Sequence, residues 1–163
     1  MTDPLLLLSA LRLRTLRSLI ILVFTLPALL IAAASAFAAD AGQHEPVIVV
    51  SARNPLSALR YRQVAAIFLA QTDRFPDGAA AVPLDLPPGS ALRDAFYLHV
   101  ADRSPALMKA YWSKMVFTGR GQPPRELRNS AAVRRMVADN PAMIGYIDRA
   151  ALDASVKVLE VRP

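Results

Sequence analysis

The sequence predicts a small domain of the α/β class, and three observations support that prediction. The apolar, largely β-branched run Val47–Val50 is typical of a strand buried on both faces of a sheet. Strand and helix patterns then alternate along the chain, which favours helices layered on a sheet with some parallel pairing. The chain has 163 residues, a one-domain length, and no cysteine, so a hydrophobic core has to hold the fold without disulfides.

The first 38 residues have the pattern of an export signal. Three arginines ending at Arg17 form a basic start, Leu19–Ala34 is an apolar run, and Ala36-Phe37-Ala38 is the small-x-small pattern that a signal peptidase cleaves. We therefore expect a signal peptide at 1–38 and a periplasmic domain at 39–163. The alternative is an uncleaved inner-membrane anchor, since the apolar run is near the lower limit for crossing a bilayer.

The segment after the first strand predicts a helix over Leu59–Ala70, with Ser57 as its N-cap and apolar residues at helical spacing. Phe75-Pro76-Asp77-Gly78 is a turn signature. Ala81–Leu86 then predicts a second strand, in which Pro83 indicates an edge or a strand start because proline has no N–H for a sheet hydrogen bond.

Two further helices are predicted. The first follows Pro87-Pro88-Gly89-Ser90 and carries an apolar stripe that includes Phe96. The second opens at Ser104-Pro105, a serine N-cap followed by proline at the first helical position, and runs to about Phe117. The apolar side of this second helix is expected to face the core with Leu107, Tyr111, Trp112, Met115, Val116 and Phe117.

The last third of the chain begins with a loop of glycine, proline and arginine over Thr118–Arg128. Ser130 is expected to cap a short helix that Asn140-Pro141 ends. Met143–Ile147 predicts a third strand, and Val156–Val161 a fourth.

Composition argues against several classes of function. Three of the 19 Lys and Arg residues and one of the 13 acidic residues precede Ala39, which leaves a net charge of +4 and a mild attraction for anions. No basic run is interleaved with aromatic residues, so no nucleic-acid partner is expected. The sequence has no P-loop, nucleophile elbow or metal-ligand motif, so we expect no catalytic residue, metal or cofactor. A hydrolase would need a carboxylate and His99 beside Ser90.

The junction between the second strand and the next helix is the first candidate site. The first N–H groups of a helix lack intrahelical acceptors and, with the helix dipole, attract anions. Gly89 allows a close approach and Ser90 offers a hydroxyl, while the N–H groups of Ala91 and Leu92 and the guanidinium of Arg93 complete the set. The alternative is that Ser90 is only an N-cap and Arg93 only a surface residue.

The second candidate is the basic loop that starts at Thr118. Arg120 and Arg125 lie in it among two glycines and two prolines, which give a loop a defined shape. It is suited to an anion or to the surface of a partner protein. The alternative is an exposed connector.

The order of these signals resembles the phosphate-type periplasmic solute-binding proteins of ABC transporters, as a short single-lobe member. The resemblance covers about residues 47–159 and rests on Asn54-Pro55, Gln63–Leu69, Phe75–Gly78, Gly89-Ser90, Trp112 and Asn140–Ile147. It implies a periplasmic-binding-protein-like lobe with a small mixed sheet of about four strands and about four helices. It also implies weak, non-enzymatic binding of phosphate or a similar oxyanion, with a membrane transporter as partner.

The resemblance has clear departures. Ser90 matches the serine of the family's Ser-Gly-Thr anion motif, but Ala91 and Leu92 stand where the glycine and threonine belong. Asp85-Leu86-Pro87-Pro88 stands where a basic residue is usual, and the chain is too short for a second lobe. The alternative function is therefore an interaction or sensory module that docks an envelope receptor or kinase without binding a small solute.

Overall fold

The computed structural model describes residues 45–163. The predicted export signal at 1–38 therefore lies outside the described residues. Within them, no helix is both long enough and apolar enough to cross a membrane.

The described chain alternates strands and helices in the order that the sequence predicts. The strands are β1 (Pro46–Ser51), β2 (Ala58–Arg60), β3 (Val82–Asp85), β4 (Arg125–Glu126), β5 (Met143–Asp148), β6 (Val156–Val158) and β7 (Glu160–Arg162). The helices are α1 (Tyr61–Phe68), α2 (Ala91–Ala101), α3 (Pro105–Phe117) and α4 (Ser130–Asp139), with a 3₁₀ turn at Arg149–Ala151.

The main sheet has the strand order β4-β3-β5-β1-β6 and is mixed. Strand β3 runs parallel to β4 and β5, while β1 runs antiparallel to β5 and β6. Strands β2 and β7 form a separate parallel pair. The α/β class and the mixed sheet are confirmed, with five strands in the main sheet.

Strand β1 lies inside the sheet because its apolar run can be buried on both faces. Val49 and Val50 have no exposed surface. On one side Val49 pairs with Gly145, and on the other with Val158.

Helices cover both faces of the sheet. Strand β5 contacts the helices on both faces because neighbouring residues of a strand point in opposite directions. On one face the Tyr146 ring stacks on Phe96 of α2, with ring centroids 3.9 Å apart. On the other face α4 packs so closely that a Cβ on Gly145 would lie 2.4 Å from Cγ1 of Val133. Glycine is needed at position 145 because α4 leaves no room for a side chain.

The predicted helix over Leu59–Ala70 starts too early, and Ser57 as its N-cap is wrong. Leu59 lies in β2, where it pairs with Val161 of β7, and α1 begins only at Tyr61. The carbonyl of Ser57 accepts a hydrogen bond from the N–H of Glu160. Pairing with the far end of the chain therefore prevails over the local helical pattern.

Two details of the last third also differ from the prediction. The strand expected over Val156–Val161 is split at the buried Leu159, whose N–H donates to the carbonyl of Ile48 at 2.9 Å. Asn129 caps α4 in place of Ser130, since its Oδ1 accepts from the N–H of Ala132. The hydroxyl of Ser130 instead accepts from the N–H of Asp148.

Helix α3 buries a narrower face than predicted. Met108 and Trp112 are buried, but Leu107 is 52% exposed, Val116 46% and Phe117 93%. The expectation that the whole apolar side of this helix lies in the core is wrong. The exposed residues at the end of α3 border a groove described below.

Candidate functional site

The first candidate site lies where β3 leads into α2. Ser90 is the N-cap of α2, and its Oγ accepts from the N–H of Arg93 at 3.4 Å. Capping uses a lone pair of the hydroxyl oxygen, so the O–H remains able to donate. Gly89 is exposed and has a φ of +87°, in the left-handed region that favours glycine, and Ser90 is half-buried. The N-terminus of the helix is therefore open to solvent.

The next two backbone N–H groups are the donors that the sequence predicts. The N–H groups of Ala91 and Leu92 have no acceptor among residues 45–163. The side chain of Ala91 is exposed, whereas that of Leu92 is 6% exposed and packs in the core. Leu92 thus contributes its backbone to the site and its side chain to the fold.

Arg93 is not a surface residue, so that part of the alternative is wrong. It is 6% exposed, its Nε donates to Oδ2 of Asp85 at 3.1 Å, and its guanidinium lies 4.9 Å from the centroid of the Tyr97 ring. Burial lowers the pKa of Arg93, but the nearby Asp85 carboxylate raises it, and the net shift is upward. Its two Nη groups make no hydrogen bond within the described part of the chain.

Asp85 is the centre of a buried polar network. Its Oδ1 accepts from the N–H of Leu86 at 2.8 Å and from the hydroxyl of Tyr146. Its Oδ2 accepts from the Nε of Arg93 and, at 2.8 Å, from the hydroxyl of Tyr97. Four donors occupy the lone-pair directions of the carboxylate, which is what a buried charge requires.

The two tyrosines of this network are held in the neutral form. Burial raises the pKa of Tyr97 and of Tyr146, and the negative charge of Asp85 raises both further. Their hydroxyls therefore act as fixed donors to Asp85.

Sequence reasoning missed this network. Its one local signal is an acidic residue inside an apolar strand, Leu84-Asp85-Leu86. Tyr97 and Tyr146 lie 12 and 61 positions further along the chain, so only the folded structure brings them to Asp85.

A groove of about 870 Å³ runs from the N-terminus of α2 along one face of α3. Gly89 and Arg93 line its α2 end, and Glu126 of β4 lies on its border. Trp112 also lines it and is 8% exposed. The indole Nε1 of Trp112 is buried and has no hydrogen-bond acceptor in the region that the structure describes.

The polar residues of the second candidate, Thr118, Arg120 and Arg125, do not line this groove, although Pro123 of the same loop does. The hydroxyl of Thr118 donates to the carbonyl of Lys114 at 2.8 Å and so helps to end α3. Arg120 is exposed, and its side chain makes no hydrogen bond from Glu45 onward. Arg125 is exposed in β4 and lines a separate cavity of about 470 Å³.

The structure does not assemble the catalytic arrangement that a hydrolase would need. His99 Nε2 lies 2.8 Å from the hydroxyl of Tyr61. It is nine positions from Ser90 along α2, a rise of about 13 Å at 1.5 Å per residue. Between Glu45 and the last residue, no three His, Asp or Glu side chains are grouped so that they could hold a metal ion.

Comparison with solved structures identifies the fold. A phosphate ABC transporter substrate-binding protein from Clostridium perfringens, solved with bound phosphate, superposes with a TM-score of 0.56 at 23% identity, over 71% of this chain and 44% of its own. An ABC-type phosphate transport receptor from Vibrio cholerae gives a TM-score of 0.55 at 19% identity, over 71% and 45%. PstS from Borrelia burgdorferi gives 0.51 at 10% identity, over 72% and 47%.

These likenesses confirm the resemblance at the level of the fold. The chain spans less than half the length of each of these binding proteins. No family model matches the sequence, and no curated protein matches it. The described residues thus have the α/β fold of part of a phosphate-type substrate-binding protein.

Proposed function

We propose that this domain is a non-catalytic, periplasmic binding lobe that holds phosphate or a similar oxyanion at the N-terminus of α2. One observation carries the proposal: the N–H groups of Ala91 and Leu92 lack acceptors among residues 45–163 and follow an exposed Gly89 and a half-buried Ser90. Helix N-termini of this kind bind anions through the unpaired N–H groups and the dipole. One structural neighbour was solved with bound phosphate.

The affinity should be low. Arg93 is already engaged by Asp85, and Leu92 provides no hydroxyl. A single lobe also leaves the anion open to water, whereas closure of a site strengthens its electrostatic interactions. We expect a second surface, from a membrane transporter or another envelope protein, to complete the site.

A thermal-shift experiment with inorganic phosphate tests this function. Binding to the folded state raises stability by RT ln(1 + [L]/Kd), so 10 mM phosphate at a Kd of about 1 mM adds about 1.4 kcal/mol and raises Tm by several degrees. Ser90→Ala should abolish the rise. Ser104→Ala is the matched control, because Ser104 caps α3 with the same 3.4 Å hydrogen bond and should keep the rise.

Two results would reject the phosphate proposal. One is the absence of any Tm shift up to 10 mM phosphate at constant ionic strength. The other is an equal shift in wild type and Ser90→Ala, which would place the anion elsewhere.

A second function, docking of an envelope receptor or kinase without a solute, is favoured by a different observation. Phe117 is 93% exposed at the end of α3, directly before the basic loop that contains Arg120. Exposed aromatic and arginine residues are typical of protein interfaces. A pull-down from envelope extract should lose the partner in the Arg120→Glu/Arg125→Glu double variant, and unchanged recovery would exclude this loop as the docking face.

A further inference from the structure

The groove beside α2 is much larger than an inorganic oxyanion needs. Its volume of about 870 Å³ lies in the range of about 300–1,000 Å³ that is typical of sites for drug-sized ligands. Its walls are mainly apolar and include Pro105, Met108, Trp112, Val116, Phe117 and Pro123. Because Gly89 and Arg93 line it as well, the groove begins at the proposed anion site.

Arg93 provides evidence for a ligand that is independent of the backbone of α2. It is 6% exposed and lines the groove, yet its two Nη groups make no hydrogen bond within residues 45–163. Buried donors in native proteins are nearly always paired, and an unpaired one is unfavourable. An anionic group in the groove would supply the missing acceptors.

The charges along the groove restrict where an anionic group can lie. Lys109 is exposed and makes no salt bridge from Glu45 to Pro163, and the Nη groups of Arg93 are without a protein partner in that range. Asp94 and Glu126 line the same groove and repel anions. A ligand with negative charges along its whole length is therefore disfavoured, and one compact anionic head is favoured.

We infer that the groove binds an amphiphilic anion, with a phosphate or carboxylate head at Gly89, Ser90 and Arg93 and an alkyl or aryl body over Trp112 and Phe117. The inference rests on the proposed oxyanion site and extends it to a substrate class. The head replaces the water on the open N–H groups, and the body covers the exposed apolar surface of α3.

A series of alkyl phosphates tests the inference. Methyl, butyl and octyl phosphate carry the same head, and each methylene buried in the groove should tighten binding about fourfold. Octyl phosphate should bind at least about 50-fold more tightly than methyl phosphate, at concentrations below micelle formation. The chain has one tryptophan, so a change in intrinsic fluorescence on binding reports directly on Trp112.

Variants locate the body of the ligand. Phe117→Ser should remove most of the gain with chain length and leave the binding of inorganic phosphate unchanged. Leu98→Ser is the matched control, because Leu98 is 58% exposed but does not line the groove.

The outcomes separate this inference from the function on which it rests. Binding of inorganic phosphate with no gain from methyl to octyl phosphate overturns the inference and leaves the oxyanion site. If Ser90→Ala binds octyl phosphate with the same Kd as wild type, the placement of the head at α2 is overturned. Equal or tighter binding of octanol or octyltrimethylammonium overturns the anionic class.

Discussion

The Nε of Arg93 lies 3.1 Å from Oδ2 of Asp85, and their side chains are 7% and 1% exposed. This buried ion pair fixes the first turn of α2 against the end of β3. It also weakens the anion site, because the carboxylate offsets the positive charge that Arg93 would present to a ligand. The same contact therefore stabilises the fold and limits the affinity expected of the site.

Asp85→Asn should lower the free energy of unfolding by about 3 kcal/mol, because it leaves the Arg93 cation buried without its counter-charge. Urea denaturation measures the change. Asp139→Asn is the control, since Asp139 is exposed and makes no side-chain hydrogen bond in the described region. It should stay within about 0.5 kcal/mol of wild type. Equal stability of the two variants would contradict a structural role for the pair.

The protein should lose stability steeply above about pH 10. There an unfolded tyrosine releases its proton, whereas Tyr97 and Tyr146 keep theirs in the folded state because burial and Asp85 raise their pKa. The folded state then binds more protons than the unfolded state, so stability is full below pH 10 and falls by up to about 2.7 kcal/mol per pH unit above it. Urea unfolding at pH 9, 10.5 and 11.5 measures the slope. A free energy of unfolding that stays constant from pH 9 to pH 11.5 would contradict the raised pKa of the two hydroxyls.

Gly145→Ala should destabilise the protein by about 2–3 kcal/mol, because the new Cβ would lie 2.4 Å from Cγ1 of Val133 and force α4 away from the sheet. Gly121→Ala is the control. Its Cβ would lie 3.2 Å from the flexible end of Met115, which can move. Thermal unfolding should show a clear loss in the first variant and little in the second, and similar Tm values would contradict the close packing of α4.

Ser90→Ala and Ser104→Ala should each lower stability by about 1 kcal/mol in the absence of ligand. The two serines cap their helices through equivalent 3.4 Å hydrogen bonds. Chemical denaturation without phosphate makes the comparison. A much larger loss for Ser90→Ala would mean that its hydroxyl has a structural role beyond capping, and the phosphate experiment would then require Ser90→Gly.

Elements whose signals are local could be predicted from the sequence. The apolar run at 47–50, the Ser104-Pro105 helix start and the turn at Phe75–Gly78 all lie where the pattern predicts. The local pattern predicts a helix at Leu59 because nothing near this residue reveals its pairing with Val161, about a hundred positions away. Pairing over that distance is a property of the folded chain and not of a sequence window.

For the candidate site, too, the sequence predicts the local features and misses those that depend on distant residues. Its backbone part follows from the local succession of strand, glycine, serine and helix, and the structure places Gly89 and Ser90 as expected. The environment of Arg93 was not predictable, because burial depends on Asp85 and Tyr97, which other elements position. The groove was missed because it needs α3 and β4 to approach α2 in space.

The pairing of Asp85 with Arg93 also constrains how the domain can evolve. Replacing Asp85 alone by a basic residue would bury two positive charges side by side. Replacing Arg93 alone would leave a buried carboxylate without its cation. Each single step passes through a destabilised protein, so the two positions should change together among homologues. A lineage that carries this pair can therefore change the charge at either position only together with the other.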